Sequence, residues 1–243
     1  MEDKVILITG AAHRVGAQTT RTLHANGANI VLHYRRSRAG AEQLAQELNT
    51  IRADSVKTVC ADLDDFSSYA TLIEESQAQF GKLNGLINNA SEFFPSNLGE
   101  VTLEHWDRLM NSNLKAPFFL SQAAIPYLKQ TNGNIINIVD IHADKPMKDY
   151  TVYCIAKAGL AMLTKSLAKE LGPEIRVNGI APGAVMWPDD MPEAVRQDII
   201  SRTALKQVGS AQDIAKAILF ILRDATYVTG QILAVDGGRS LHV

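Results

Sequence analysis

The chain reads Thr9-Gly10-Ala11-Ala12-His13-Arg14-Val15-Gly16 directly after the apolar segment Val5–Thr9, and this stretch decides the fold. Gly10 permits a tight turn after a strand, and Gly16 lets the following helix approach the sheet closely. The first turn of that helix would offer unpaired backbone N–H groups and the positive end of its dipole to a pyrophosphate. The stretch therefore predicts the strand, turn and helix that open a dinucleotide-binding unit.

The rest of the chain repeats this alternation of strand and helix. Segments between the strands carry apolar residues at helical spacing, such as Leu44, Ala45, Leu48 and Ile51, or Ile214, Ala217, Ile218 and Ile221. Such alternation implies right-handed crossovers and a parallel sheet with helices on both faces. We predict an α/β fold with a doubly wound sheet of about seven parallel strands. The predicted strands are Val5–Thr9, Asn29–Tyr34, Val56–Asp62, Gly85–Asn89, Asn134–Asp140, Ile175–Ala181 and Gln231–Asp236.

No repeat or linker divides the chain, so we predict a single domain over residues 1–243. Residues 185–208 separate the sixth strand from the final helix and are predicted to form a lid over the substrate. Within that lid the sequence assigns no contact to Trp187 or Asp189. Ligands of such sheets bind beyond the carboxyl ends of the strands, so functional residues should follow each strand directly.

Composition excludes several classes of protein. The chain has 243 residues, of which 46% are apolar and 21% charged, which excludes a disordered chain and a small disulfide scaffold. Cys60 and Cys154 belong to no CxxC or His/Cys cluster, so no metal site is expected. The net charge of −2 argues against a nucleic-acid partner. No apolar run reaches the roughly 18 residues of a membrane span, and the start Met1–Lys4 lacks the shape of a signal peptide, which favours a cytoplasmic location.

Positive charge is concentrated in the N-terminal part of the chain. Six lysines or arginines and no acidic residue lie between Asp3 and Glu42, which indicates an anionic ligand or, alternatively, a solvated basic face. The second strand ends His33-Tyr34-Arg35-Arg36-Ser37, where an NAD site would place an acidic residue. Guanidinium groups suit a 2′-phosphate, so NADPH/NADP+ is the predicted cofactor. A nucleic-acid patch and a solvated helix start remain alternatives for these arginines. After the third strand, Asp62-Leu63 is placed to bind the adenine edge or to cap a helix.

A second group of residues has the chemistry of proton transfer. Tyr153 and Lys157 lie four residues apart, on one face of a predicted helix. Asp140 ends the preceding strand and should face that helix. A lysine beside a phenol favours the phenolate, so we expect the pKa of Tyr153 to be lowered and its hydroxyl to serve as a proton donor. The scattered His13, His33 and His142 are interpreted as hydrogen-bonded residues of turns and strand ends.

Together these motifs resemble the short-chain dehydrogenase/reductase superfamily over nearly the whole chain, from Lys4 to Gly238. The resemblance rests on Thr9-Gly10…Gly16, Asp62, Asn88-Asn89-Ala90, Asn113, Tyr153…Lys157 and Pro182-Gly183. It implies a Rossmann fold and a homotetramer, to which the apolar helices at Phe118–Leu128 and Leu160–Leu167 would contribute. It also implies that Tyr153 donates a proton, that Lys157 binds the nicotinamide ribose, and that Asn113 holds a water-linked proton relay. The cofactor-binding residues implied are Gly10, Arg14, Val15, Tyr34, Arg35, Arg36, Ser37, Asp62, Leu63, Asn89, Ala90, Ser91, Tyr153, Lys157, Pro182 and Gly183.

Departures from the common pattern of that superfamily point to one branch. Arg14, Ser91 and Asp140 replace small or hydroxyl residues, and with the arginines after the second strand they resemble pteridine reductases. The resemblance implies a small pterin substrate in contact with Arg14, Ser91, Phe93, Asp140 and Tyr153. Phe93 would stack on its flat ring, whereas Phe94 is interpreted as a core or interface residue.

The replacement of serine by Asp140 fits reduction of a ring C=N bond, in which a nitrogen must be protonated. An acid beside the phenol can share its proton with Tyr153 in a coupled donor pair, whereas the plainer interpretation is a capping aspartate. Two other functions stay open. One is an NADPH-dependent carbonyl reductase acting on 3-oxoacyl thioesters or similar substrates, and the other is a non-catalytic NADPH-binding regulator.

Overall fold

A computed structural model describes residues 1–185, 187 and 191–242. Each segment predicted as a strand contributes one to a single sheet of seven parallel strands, in the order β3-β2-β1-β4-β5-β6-β7. The predicted α/β fold, a Rossmann-type doubly wound sheet, is therefore confirmed. The strands are β1 (Val5–Ile8), β2 (Asn29–Tyr34), β3 (Val56–Cys60), β4 (Gly85–Asn88), β5 (Asn134–Ile138), β6 (Arg176–Pro182) and β7 (Ile232–Val235).

Helices connect the strands and cover the sheet. Among the described residues, a π-helix and two short 3₁₀ helices accompany the α-helices. The α-helices are α1 (Arg14–Ala25), α2 (Arg38–Ile51), α3 (Ser68–Ala78), α4 (Leu103–Met110), α5 (Ala116–Lys129), α6 (Thr151–Leu171), α7 (Glu193–Ser201) and α8 (Ala211–Arg223). The π-helix spans Asn111–Lys115, and the 3₁₀ helices span Ile141–Ala143 and Arg239–Leu241.

The core consists of two layers, one on each face of the sheet. Val5 and Leu7 of β1 belong to the layer shared with α3, α5 and α6, whereas Ile6 and Ile8 belong to the layer shared with α1, α2 and α8. This alternation follows from the two-residue period of a strand. One residue of the helical pattern lies outside this core, since Ile51 is 73% exposed. It is the last residue of α2 and lies beyond the part of the helix that packs on the sheet.

The order of the strands reverses between β1 and β4, and this crevice positions the site. Thr9 follows β1, and its Oγ1 accepts from the backbone N–H groups of Asn89 at 2.9 Å and Ala90 at 3.0 Å. The Asn89 side chain donates in return to the backbone oxygens of Thr9 at 2.8 Å and Gly10 at 3.1 Å. These bonds fasten the two strand ends at the switch point, where doubly wound sheets bind ligands.

The predicted lid is described only in part. Met186, Pro188, Asp189 and Asp190 lie outside the described residues, and Trp187 is half-buried. Helix α7 belongs to this segment and has no buried side chain. Among the helices of the described residues, none is both long and apolar enough to cross a membrane.

Candidate active site

A cavity of about 520 Å³ opens at the carboxyl ends of β1, β2 and β4. It lies at the crevice where the order of the strands reverses, as the sequence predicts for the ligand site. Predicted site residues in its wall are Gly10, Arg14, Val15, Arg35, Leu63, Asn89, Ala90, Ser91 and Phe93. The other lining residues are His13, Gly16, His33, Asp64, Glu92, Ser112 and Ile138.

One end of the cavity has the donors that a pyrophosphate requires. Helix α1 begins without a side-chain cap and without an acidic residue in its first turn, so its first N–H groups are available to an anion. Arg14 stands at the first position of this helix with a φ of +50°, a left-handed conformation that favours glycine. A Cβ on Gly16 would lie 2.8 Å from the Asn89 side chain, so only glycine allows this close approach of helix and sheet. The residues present fit the phosphates of a dinucleotide.

His33, the fifth residue of β2, fixes the turn at Gly10. Its Nδ1 accepts from the Gly10 N–H at 3.1 Å, and its Nε2 is 3.1 Å from the backbone oxygen of Ala61, to which it donates. The ring is therefore a neutral, hydrogen-bonded strand residue, as the sequence suggests. Burial lowers the pKa of His33 to about 4, although the Ala61 oxygen and Asp62 act in the opposite direction.

The pKa of His33 makes folding stability dependent on acid. The unfolded chain binds a proton near pH 6.5 and the folded chain near pH 4, so the stability from neutral His33 is complete above pH 6.5 and is lost as the pH falls to 4. The full loss is about 3 kcal/mol. Urea unfolding at several pH values should give His33→Asn a shallower decline than the parent, since Asn keeps an acceptor without titrating. Parallel declines in the two proteins would contradict this role.

The cluster of arginines predicted for the 2′-phosphate is only partly assembled. Arg35 lines the cavity, but its guanidinium is paired with Asp64 at 2.7 Å, Glu92 at 3.3 Å and Asp62 at 3.4 Å. Burial lowers the pKa of Arg35, and the three carboxylates more than offset this, so that its pKa is raised. Arg36 is exposed outside the cavity wall and Ser37 is half-buried, whereas Tyr34 is buried in the core.

Asp62 is engaged within its own turn. Its Oδ1 accepts from the backbone N–H of Asp64 at 3.0 Å as well as from Arg35, while helix α3 begins only at Ser68. Asp62 thus stabilises the turn after β3, and among the described residues its side chain does not cap α3, whose N-cap position is Ser67. Leu63 reaches the cavity wall beside it.

At the other end of the site, Tyr153 and Asp140 form a hydrogen-bonded pair. The Tyr153 hydroxyl donates to Asp140 Oδ2 at 2.8 Å, and Asp140 Oδ1 accepts from the His142 N–H at 2.8 Å. Asp140 therefore both caps the 3₁₀ helix and contacts the phenol. The expected lowering of the pKa of Tyr153 is wrong for this structure, because burial and the Asp140 carboxylate raise that pKa well above its ordinary value.

The ammonium of Lys157 binds a backbone oxygen instead of the phenol oxygen, which explains why the pKa of Tyr153 is not lowered as expected. Its Nζ lies 5.6 Å from the centroid of the Tyr153 ring and donates to the backbone oxygen of Ile138 at 2.8 Å. Burial lowers the pKa of Lys157 to about 8, although Asp140 opposes the shift. Ile138 is also part of the cavity wall, so the ammonium is held directly behind the cavity.

Asn113 is buried in the π-helix, a distortion of helices that is frequent at functional sites. Its Oδ1 accepts from Ser91 Oγ at 2.7 Å, and its Nδ2 donates to the backbone oxygens of Glu92 and Leu109, each at 2.9 Å. The predicted catalytic Asn113 and the predicted substrate contact Ser91 are thus joined. Asn113 is hydrogen-bonded to residues in the wall of the cavity, whereas Tyr153 and Asp140 form a separate hydrogen-bonded pair.

Phe93 connects this pair to the cavity. Its ring stacks on Tyr150 with centroids 4.6 Å apart and meets Tyr153 edge-on at 4.9 Å. Phe93 is 49% exposed and lines the cavity, which suits contact with a flat ring. Phe94 instead packs, partly buried, against a small apolar cluster under the guanidinium of Arg108, which is compatible with its interpretation as a core or interface residue.

Pro182 and Gly183 stand at the end of β6. The Gly183 N–H donates to the Val235 oxygen at 3.1 Å, and a Cβ on Gly183 would lie 2.6 Å from Asp236. Neither residue lines the large cavity, among those the structure describes.

Sequence reasoning missed Glu92. Its carboxylate bridges Arg35 and Arg108, and its N–H donates to Ser112 Oγ at 3.2 Å. The available signal was position, because Glu92 follows β4 closely and so lies at the same edge of the sheet as Arg35 and Asp64.

Comparisons with known proteins agree with this architecture. Residues 10–240 match the protein family described as enoyl-(acyl carrier protein) reductase. The chain is 36% identical to pteridine reductase 1 of Leishmania tarentolae, with 98% of this chain and 96% of that protein covered. It is 35% identical to 7alpha-hydroxysteroid dehydrogenase of Bacteroides fragilis, over 99% and 96% of the two chains. It is 34% identical to a 3-oxoacyl-(acyl-carrier-protein) reductase of Thermotoga maritima, over 98% of each. The chain belongs to the short-chain dehydrogenase/reductase family, whose members are oxidoreductases that use NAD(P)H.

Proposed function

We propose that this protein reduces pterins with NADPH, by hydride transfer to a ring C=N bond and protonation of the adjacent nitrogen. The observation that carries the proposal is the 2.8 Å hydrogen bond between the Tyr153 hydroxyl and Asp140. A carbonyl reductase needs donors for one developing alkoxide, which hydroxyl groups supply. An acid and a phenol that share protons suit a ring nitrogen, which has to be protonated.

The residues of the site have separable roles in this proposal. The N-terminus of α1, Arg14 and Arg35 bind the phosphates, and NADPH supplies the hydride when bound. Phe93 orients a flat substrate against the cavity wall, gaining about 1 kcal/mol from ring contact beyond the burial of area. The Tyr153–Asp140 pair donates the proton, and the Lys157 ammonium, bonded to the Ile138 oxygen, places a positive charge behind the cavity wall. Asn113 holds Ser91 at the cavity.

The pterin substrate is supported by the identity of 36% with pteridine reductase 1 together with Arg14, Ser91, Phe93 and Asp140 in the site. The second candidate is a carbonyl reductase. It is supported by identities of 34–35% with a hydroxysteroid dehydrogenase and a 3-oxoacyl reductase. Tyr153, Lys157 and Asn113 would serve that reaction equally well, so Asp140 and Phe93 are the residues that favour the pterin.

The deciding experiment is a substrate panel with purified protein, in which oxidation of NADPH and of NADH is followed by absorbance. The panel contains dihydrobiopterin, dihydromonapterin, dihydrofolate, biopterin and an acetoacetyl thioester. We expect turnover of at least one pterin, faster with NADPH. Turnover of the thioester alone would replace the proposal with the carbonyl reductase. Tight binding of NADPH without any turnover would replace it with a non-catalytic regulator.

A further inference from the structure

Glu92 lines the cavity and bridges two arginines from different parts of the fold. Its Oε1 accepts from Arg35 Nη2 at 3.3 Å, and its Oε2 accepts from Arg108 Nη2 at 2.8 Å. The Glu92 side chain is 20% exposed, less than either arginine. A carboxylate in this position is less screened than one on the open surface, so its charge acts more strongly on its neighbours.

The backbone of Glu92 is fixed to the substrate side of the cavity. Its N–H donates to Ser112 Oγ, and its oxygen accepts from Asn113 Nδ2 at 2.9 Å. The guanidinium of Arg108 lies 4.8 Å from the centroid of the Phe94 ring. Glu92 therefore contacts both Arg35, the cation predicted to bind the 2′-phosphate, and Arg108 of α4, the helix on the substrate side.

Arg35 is already shared among carboxylates. Besides Glu92 it contacts Asp64 at 2.7 Å and Asp62 at 3.4 Å. A phosphate dianion beside Arg35 would be repelled by these groups, so Arg35 can bind it only by giving up carboxylate contacts. Glu92 differs from the two aspartates because Arg108 continues to neutralise it when Arg35 moves.

We propose that Glu92 is a positioning residue. It releases Arg35 to the 2′-phosphate of the cofactor, and this change is transmitted to α4 through the contact of Glu92 with Arg108. The inference rests on NADPH as the proposed cofactor. Two consequences follow. The Glu92 charge weakens binding of a 2′-phosphate, and binding of that phosphate alters the surroundings of α4. Asp64 shares the first effect and lacks the second, because among the described residues it contacts Arg35 whereas Arg108 is bonded to Glu92.

The matched variants are Glu92→Gln and Asp64→Asn, with Glu42→Gln as the control, since Glu42 pairs with Arg38 at 2.9 Å outside the cavity. Calorimetry with the full chain compares adenosine 2′,5′-bisphosphate with AMP, so that no turnover is involved. We expect both cavity variants to bind the bisphosphate roughly three- to tenfold more tightly, with AMP changed less than about twofold. The control should match the parent.

The coupling has its own readout in Trp106 of α4, two positions before Arg108. The chain has two tryptophans, so Trp106 is the one that remains in a Trp187→Phe background and its emission reports on α4. The bisphosphate should shift this emission in the parent and in Asp64→Asn, and should leave it unchanged in Glu92→Gln. Unaltered bisphosphate affinity in Glu92→Gln would overturn the exchange, and an emission shift equal to the parent's would overturn the coupling.

The proposed cofactor can fail separately. A parent protein that binds AMP as tightly as the bisphosphate would refute the preference for NADPH. In that case Glu92→Gln should still bind the bisphosphate more tightly than AMP. If the variant shows no such preference, the role of Glu92 is refuted as well.

Discussion

Replacing Tyr153 with phenylalanine should lower kcat for pterin reduction by about 10²–10⁴-fold, the contribution of a positioned general acid. The variant removes one hydroxyl, which donates to Asp140 in the structure. The ring remains in edge contact with Phe93. Affinity for NADPH should therefore change little, and the loss should appear in kcat.

Tyr150→Phe is the matched control for this prediction. Tyr150 stacks on the same Phe93 ring at 4.6 Å, so its replacement removes a neighbouring phenol hydroxyl without breaking the bond to Asp140. Its kcat should stay within about threefold of the parent, as expected for a group outside the reacting atoms. A Tyr153→Phe enzyme that keeps a tenth or more of the parent kcat would remove Tyr153 from the role of proton donor.

Replacing Asp140 with serine should depress pterin turnover by more than about tenfold, because the proton-sharing partner of Tyr153 is lost. Serine can still accept from the His142 N–H, so the cap of the 3₁₀ helix is retained in kind. Asp140→Asn tests proton sharing with the shape of the side chain preserved. The amide oxygen can still accept a hydrogen bond from the Tyr153 hydroxyl, but the amide has no acidic proton to share. Steady-state kinetics on a dihydropterin measures both variants.

A pH profile separates this role from simple damage to the fold. Burial and the Asp140 carboxylate both raise the pKa of Tyr153, so removing the carboxylate should lower that pKa while burial persists. The alkaline limb of kcat/KM should therefore move to lower pH in Asp140→Ser. Full retention of pterin turnover in the serine variant would contradict the coupled pair, and an unmoved limb would assign Asp140 to capping alone.

Local patterns were enough to predict the fold. Each strand is a short apolar segment, and the predicted ends exceed the observed ones by one or two residues at β1, β3, β4, β5 and β7. The reason is visible at Thr9 and Asn89, which the sequence assigned to strands. Their side chains bond across the crevice instead of continuing the sheet, and such cross-chain bonds leave no periodic signal.

The site was predictable where it depends on one helix or one strand end. Tyr153 and Lys157 share a face of α6 by spacing alone, and Asp140 follows β5 closely. The pKa of Tyr153 could not be deduced, because its direction depends on burial and on where the Lys157 ammonium points. The bridge from Arg35 through Glu92 joins residues 57 positions apart, so only the folded chain shows that the predicted phosphate cation is shared.

Because of the left-handed backbone at Arg14, stability and activity favour different residues at this one position. A residue with a Cβ is strained at a φ of +50°, and glycine would relieve that strain by about 1 kcal/mol. A directed-evolution screen for heat resistance alone would therefore tend to enrich glycine at this position and discard the guanidinium. A screen that also demands cofactor turnover should hold arginine in place. Libraries built for thermostability are best designed with this position fixed.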